Sequence, residues 1–149
     1  MITVLAAVVL TLTGFGPIRI GMTVEQARRA AGAPLHQVES PNEDCYYLLV
    51  EGDSSVAFMI REGRLARVDI SDPRHATLSG LHVGDSEERA KQVYAGRYEI
   101  EPHAYVDGHY LIVRSRDKRY ALVIETDGGV VTRLRAGSMP AAEFVEGCS

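Results

Sequence analysis

The chain has 149 residues, 46% of them hydrophobic, and its 16 Lys and Arg stand against 20 Asp and Glu for a net charge of −4. That length and apolar content suit one ordinary domain, or two very small ones, with a real core. The charges are interspersed in sign, and without a basic stripe to neutralise phosphates the composition argues against a nucleic-acid partner.

The N-terminal stretch "MITVLAAVVLTLTG" carries no charge from Ile2 to Gly14. It has the length of a signal-peptide apolar region, is too short for a membrane span, and lacks the Lys or Arg that precedes such a region. Residues 1–13 therefore read either as an export signal or as a buried first strand, for which the β-branched Val, Ile and Thr residues are equally suited. No transmembrane span is expected.

Residues 14–72 form a first unit. "GPIRIGMTVEQARRAAG" predicts a short helix: Thr23 is an N-cap, Gln26 completes a Thr-x-x-Gln capping box, and Val24, Ala27 and Ala31 share a face before Gly32 and Pro34 stop it. "CYYLLV", "SVAFMI" and "RLARVDI" follow as strands, with Glu62-Gly63 as a tight turn. "SDPRHATLSG", residues 71 to 80, is rich in turn formers and reads as a hinge.

Residues 79–138 repeat the pattern. In "SGLHVGDSEERAKQVYAG" Gly84 falls on Gly21 and Ser86 on Thr23, and Ala90, Val93 and Tyr94 make the apolar stripe. Four strand-like runs follow, from "YEIEPHAYV" to "VVTRLRA", with Asp107-Gly108 predicted as a two-residue hairpin turn. The fold class is thus α+β, a tandem duplication of a unit with one short helix packed on a three- to four-stranded antiparallel sheet. Residues 139–149 are a C-terminal tail.

The order Gly-Met-Thr-x-x-Gln-Ala, then "CYYLLV" and the hairpin "VAFMIREGRLARVDI", resembles the helix-and-sheet unit of the small lipoprotein of the bacterial outer-membrane β-barrel assembly machine. The duplicated arrangement is similar to secreted β-lactamase inhibitory protein. The resemblance implies a scaffold that binds proteins without catalysis. It carries over no functional residue, because contact surfaces differ from one member to another, and the lipid-attachment Cys and the Cys pairs within each repeat are missing here.

Cys45 and Cys148 are the two cysteines. In an oxidising compartment they would form a disulfide pinning the tail to the first unit, and in a cytosolic protein they would be reduced thiols. With no nucleophile motif, phosphate loop or metal-ligand spacing in the chain, no catalytic residue, metal or cofactor is assigned. His103 and His109 are expected on opposite faces of their hairpin, apart from each other. Strand alternation instead groups Glu101, His103 and Tyr105 on one face, with Tyr110 opposite Tyr105 and Pro102 favouring an edge strand. Arg67 and Arg133 are equivalent when Gly63 is set on Gly129, and each is expected to rest its stem on a wetted sheet face or to bind a carboxylate. The expected function is an exported, periplasmic or extracellular, monomeric module binding a protein or cell-envelope component through these six residues. The alternatives are a small enzyme or ligand binder using the Glu101/His103/Tyr105/Tyr110 face, and a cytoplasmic location.

Overall fold

A computed structural model describes residues 8–148, and over these the protein is α+β, with two helices and two mainly antiparallel sheets. The short strands β1 (Val9–Thr11), β2 (Gly14–Phe15), β3 (Ile18–Arg19) and β8 (Ala76–Thr77) make a four-stranded sheet in the order β3-β2-β1-β8, its β1–β8 pair parallel. The larger sheet has eight strands. They are β4 (Leu35–Gln37), β5 (Cys45–Val50), β6 (Asp53–Arg61), β7 (Arg64–Ile70), β9 (Tyr98–Pro102), β10 (His109–Arg114), β11 (Tyr120–Asp127) and β12 (Val130–Ser138). Their order, β4-β5-β6-β7-β12-β11-β10-β9, joins two four-stranded meanders last strand to last strand. The expected separate sheets of three to four strands are therefore one continuous sheet.

Helices α1 (Val24–Ala30) and α2 (Glu87–Val93) begin in the same way. The amide of Gly21 donates to the Leu65 carbonyl and that of Gly84 to the Val131 carbonyl, both at 2.8 Å. Each glycine has φ of 96°, a left-handed conformation that lets the chain leave the hairpin and start a helix at once. Thr23 and Ser86 then cap the helices through their hydroxyls, and only α1 has the reciprocal capping box with Gln26. At seven residues each, the helices depend on packing, which Ala27 and Ala90 provide at full burial.

One face of the eight-stranded sheet carries the main core, where Phe58, Leu48, Leu65, Ile70, Ile124 and Leu134 pack against both helices and the small sheet. Leu10 of β1 belongs to it at 1% exposure. Over Val9–Thr11 the stretch is a strand of the fold, as the first-strand alternative has it, and residues 1–7 of that expectation lie outside the described residues.

The opposite face is covered by the tail. After β12 the chain turns through a single 3-10 turn, η1 (Ala141–Glu143), which lies over β7, β11 and β12. A disulfide between Cys45 and Cys148, with Cα atoms 5.4 Å apart, fastens the end of the tail to β5. Beneath it lie two smaller apolar clusters, one around Met59, Ala66 and Ala141 and the other around Tyr110, Ile112, Val123 and Ala142.

Candidate functional site

The tail-covered face holds a line of buried charge that crosses the seam between the meanders. Arg67 on β7, 3% exposed, donates Nε to Asp69 Oδ1 at 2.7 Å and an Nη to Oδ2 at 2.9 Å, a bidentate pair. Its Nη1 reaches up to the tail carbonyls of Ala141 (3.0 Å) and Phe144 (2.7 Å), and the Nη2 that binds Asp69 also donates to the Tyr47 hydroxyl at 3.3 Å. Across the seam Arg135, also 3% exposed, donates to the Ala142 carbonyl at 2.8 Å and to Glu125 at 2.9 Å. Burial, together with the neighbouring Arg67 charge, pulls the Arg135 guanidinium below its ordinary pKa, while Glu125 and Asp69 oppose that. Burial likewise raises the Tyr47 phenol, against the Arg67 charge. The two arginines thus use carboxylates to neutralise their charge and their remaining donors to hold the tail. Neither is free to take a carboxylate ligand, which overturns the expectation for Arg67. Arg133 is exposed, in a cleft it shares with Tyr47 and Asp69.

Glu125 links this line to His103. His103 Nε2 lies 2.6 Å from Glu125 Oε1, and the imidazole stacks on Tyr110 with ring centroids 4.6 Å apart. The backbone amides of Tyr105 (3.0 Å) and Val106 (3.2 Å) both donate to His103 Nδ1, so that nitrogen carries no proton and Nε2 donates to the carboxylate. The Tyr110 hydroxyl accepts from the Ala104 amide at 3.2 Å, and the Arg135 guanidinium lies 5.5 Å from the Tyr110 ring centroid.

This network replaces the two-residue turn expected at Asp107-Gly108. The register pairs His109 with Pro102 and Tyr110 with Glu101, not with Tyr105, leaving 103–108 as a loop. Pro102 ends the strand, lacking an amide to donate, and the His103 ring then organises the loop. Gly108 is required for closeness, not for turn conformation: a Cβ there would fall 2.0 Å from the Thr126 carbonyl oxygen.

The predicted surface is consequently split. Tyr110 is 5% exposed and belongs to the core, His103 is buried at its side chain, and Glu101 is exposed on β9. Tyr105 projects from the loop at 67% exposure. β9 is the last strand of the sheet, in keeping with the edge position that Pro102 suggested.

Four partners escaped sequence reading: Tyr47, Asp69, Glu125 and Arg135. The available signal was spacing, since Asp69 and Arg135 each lie two residues beyond an Arg already singled out and so share its face. A second cluster was missed altogether. Glu87 Oε1 at the start of α2 accepts from the Thr126 hydroxyl at 2.7 Å and lies 2.7 Å from His109 Nδ1, while Lys91 stands 3.3 Å from its other oxygen. His103 and His109 therefore serve different carboxylates. Among the described residues no group of three or more His, Cys, Asp and Glu side chains is arranged to hold a metal ion.

No protein-family model matches the chain, and no curated protein matches it. Solved structures do share its fold. The uncharacterized protein yfeY from Escherichia coli superposes with a TM-score of 0.56 at 10% identity, over 87% of this chain and 99% of its own. An extracellular protein containing a SCP domain from Bacillus anthracis str. Ames superposes with a TM-score of 0.54 at 11% identity, over 80% of this chain and 44% of its own. Both likenesses establish the fold alone.

Proposed function

We propose that the protein is an exported, non-catalytic binding module, and that the β9 edge with the 103–108 loop is where it meets a protein or envelope component. The observation that carries this reading is the state of Tyr105: a large aromatic side chain, 67% exposed, held on a loop that is already ordered. The His103 ring, the Tyr110 hydroxyl, and the contact of the Gly128 amide with the Asp107 carbonyl at 3.0 Å fix the loop before any partner arrives. Such pre-ordering lowers the entropy cost of association, and Tyr offers apolar area with a polar tip at small further cost. Ile100 and Val106, 44% and 42% exposed, extend the apolar area beside the unpaired strand edge. Against an acid–base role for His103 stands the engagement of both its ring nitrogens.

Export is supported by the disulfide, which persists in oxidising compartments, and by the description of one fold neighbour as extracellular. Among the described residues no helix is long and apolar enough to cross a membrane. The tandem origin is supported by the matching helix starts and by two bulges, at Met59/Ile60 and Glu125/Thr126, each just opposite an Arg. A photo-reactive side chain in place of Tyr105 is expected to give a discrete adduct in the envelope fraction, whereas the same probe in place of exposed Glu25 gives none. Equal labelling from both positions, or none from Tyr105, would overturn the contact surface.

A further inference from the structure

The seam that joins the two meanders also brings two distant hairpin turns together. The turn after β6 and the turn between β10 and β11 face one another across a cleft of about 560 Å³, within the range of small-ligand sites. Arg61 and Arg64 line it from the first turn, Lys118 and Arg119 from the second, and Glu62 is the one carboxylate among the residues lining it. In a chain of net charge −4 this concentrates positive charge in one place. The second turn belongs to the basic stretch "RSRDKR", but its placement opposite Arg61 and Arg64 is not visible in the sequence.

None of the four cations joins an ion pair among the described residues. Arg64 is steadied by a neutral acceptor, the Gly21 carbonyl at 2.8 Å, and Arg61 lies 4.9 Å from the centroid of the Phe144 ring. Asp117, the nearest acid in sequence to Lys118 and Arg119, is turned into its own loop, where it accepts from the Ser115 hydroxyl at 2.7 Å and the Arg119 amide at 3.0 Å. The cleft floor is partly apolar, with Ile20, Leu65 and Met139. Low polarity beneath the charges strengthens their pull on an anion relative to open solvent.

We propose that this cleft binds a phosphate-bearing ligand. The Arg64 and Arg119 guanidinium forks and the Lys118 ammonium, with the Arg61 charge stacked on Phe144 beside them, offer more donors and more charge than a single carboxylate can satisfy, whereas a doubly charged phosphate or a diphosphate presents several oxygens to such forks. The phosphate can come from a soluble ester or from a phospholipid headgroup, and the cleft recognises the group common to both. The site lies apart from the Tyr105 loop and stands or falls independently of it.

The test is calorimetric titration of the full chain with pyrophosphate at low salt, beside co-sedimentation with phosphatidylglycerol and phosphatidylcholine vesicles. Binding of pyrophosphate identifies a soluble source, and selective retention on phosphatidylglycerol vesicles identifies a headgroup. Either must weaken by about tenfold or more in the Lys118→Glu/Arg119→Glu variant and fall steeply with added salt. Both positions are exposed, so the variant should keep the native melting temperature; Lys118→Gln with Arg119→Gln serves if it does not. No binding of pyrophosphate or of phosphatidylglycerol, binding unchanged in the variants, or citrate bound as tightly as pyrophosphate would overturn the proposal.

Discussion

Asp69 and Arg135 stand directly opposite each other where β7 meets β12, the same number of residues beyond Gly63 and Gly129, the glycines of their hairpin turns. Positions at the same distance from their hairpin glycines are thus acidic on β7 and basic on β12. That difference sets an acid beside the two neighbouring arginines at the seam and offsets their repulsion: Asp69 neutralises Arg67, and Arg135 takes Glu125.

Removing one member of the first pair should be costly. Arg67→Ala leaves the Asp69 carboxylate and two tail carbonyls without their donor, an expected loss of about 3–5 kcal/mol. Replacing both groups with apolar ones, Arg67→Met with Asp69→Leu, should cost far less than the sum of the single changes. Urea denaturation of the double-mutant cycle measures the difference, and additive costs would contradict the pairing.

The two tyrosines once grouped together should behave oppositely. Tyr110→Ala empties part of the core beneath the tail and should destabilise by about 3–5 kcal/mol, as for other large aromatic truncations. Tyr105→Ala should stay within about 0.5 kcal/mol. Thermal unfolding of the two variants decides the matter, and equal shifts would be inconsistent with the burial described.

Burial would raise the pKa of Glu87, but hydrogen bonds from Thr126, His109 and Lys91 outweigh it and hold the carboxyl below its ordinary value of 4.5. The folded state therefore binds this proton less readily than the unfolded chain does. Stability from the cluster is complete above about pH 4.5 and is lost as the pH falls through the lower folded value. Glu87→Gln should flatten the acid side of the stability profile below pH 4.5, and an unaltered slope would remove Glu87 as its cause.

The disulfide closes a separation of 103 residues, so Cys148→Ser should cost up to about 4.7 kcal/mol in the chain-entropy picture. Hydrogen exchange should accelerate first at the amides of Glu143, Phe144 and Gly147, whose acceptors lie within the tail itself. Exchange rising evenly across β5 to β7 instead would show that the tail is not the weakest part.

Much of this fold was legible because its strongest signals are local. The Thr23 and Ser86 caps, the Glu62-Gly63 turn and the run Cys45–Val50 each declare themselves within a few residues, and all appear where expected. The small sheet was illegible in outline because strands of two or three residues carry no period. The tail was illegible for a different reason. Alternation in "RLARVDI" and "VVTRLRA" shows which residues share a face but not what covers it, and an Arg reads as solvated until its acceptors, the carbonyls of Ala141, Ala142 and Phe144, come into view. At Asp107-Gly108 a strong turn signal lost to Pro102 and to the side chain of His103, a competition no dipeptide preference contains.

The tail that roofs the second face follows all eight strands of the large sheet in sequence, and so is synthesised after them. A chain emerging from a ribosome or a translocation channel can complete all eight strands while Met59, Val123 and the two buried arginines still face water. Until the tail docks and Cys148 is oxidised, the folding protein exposes a sticky, charged sheet surface, so its safe maturation depends on how promptly that roof closes.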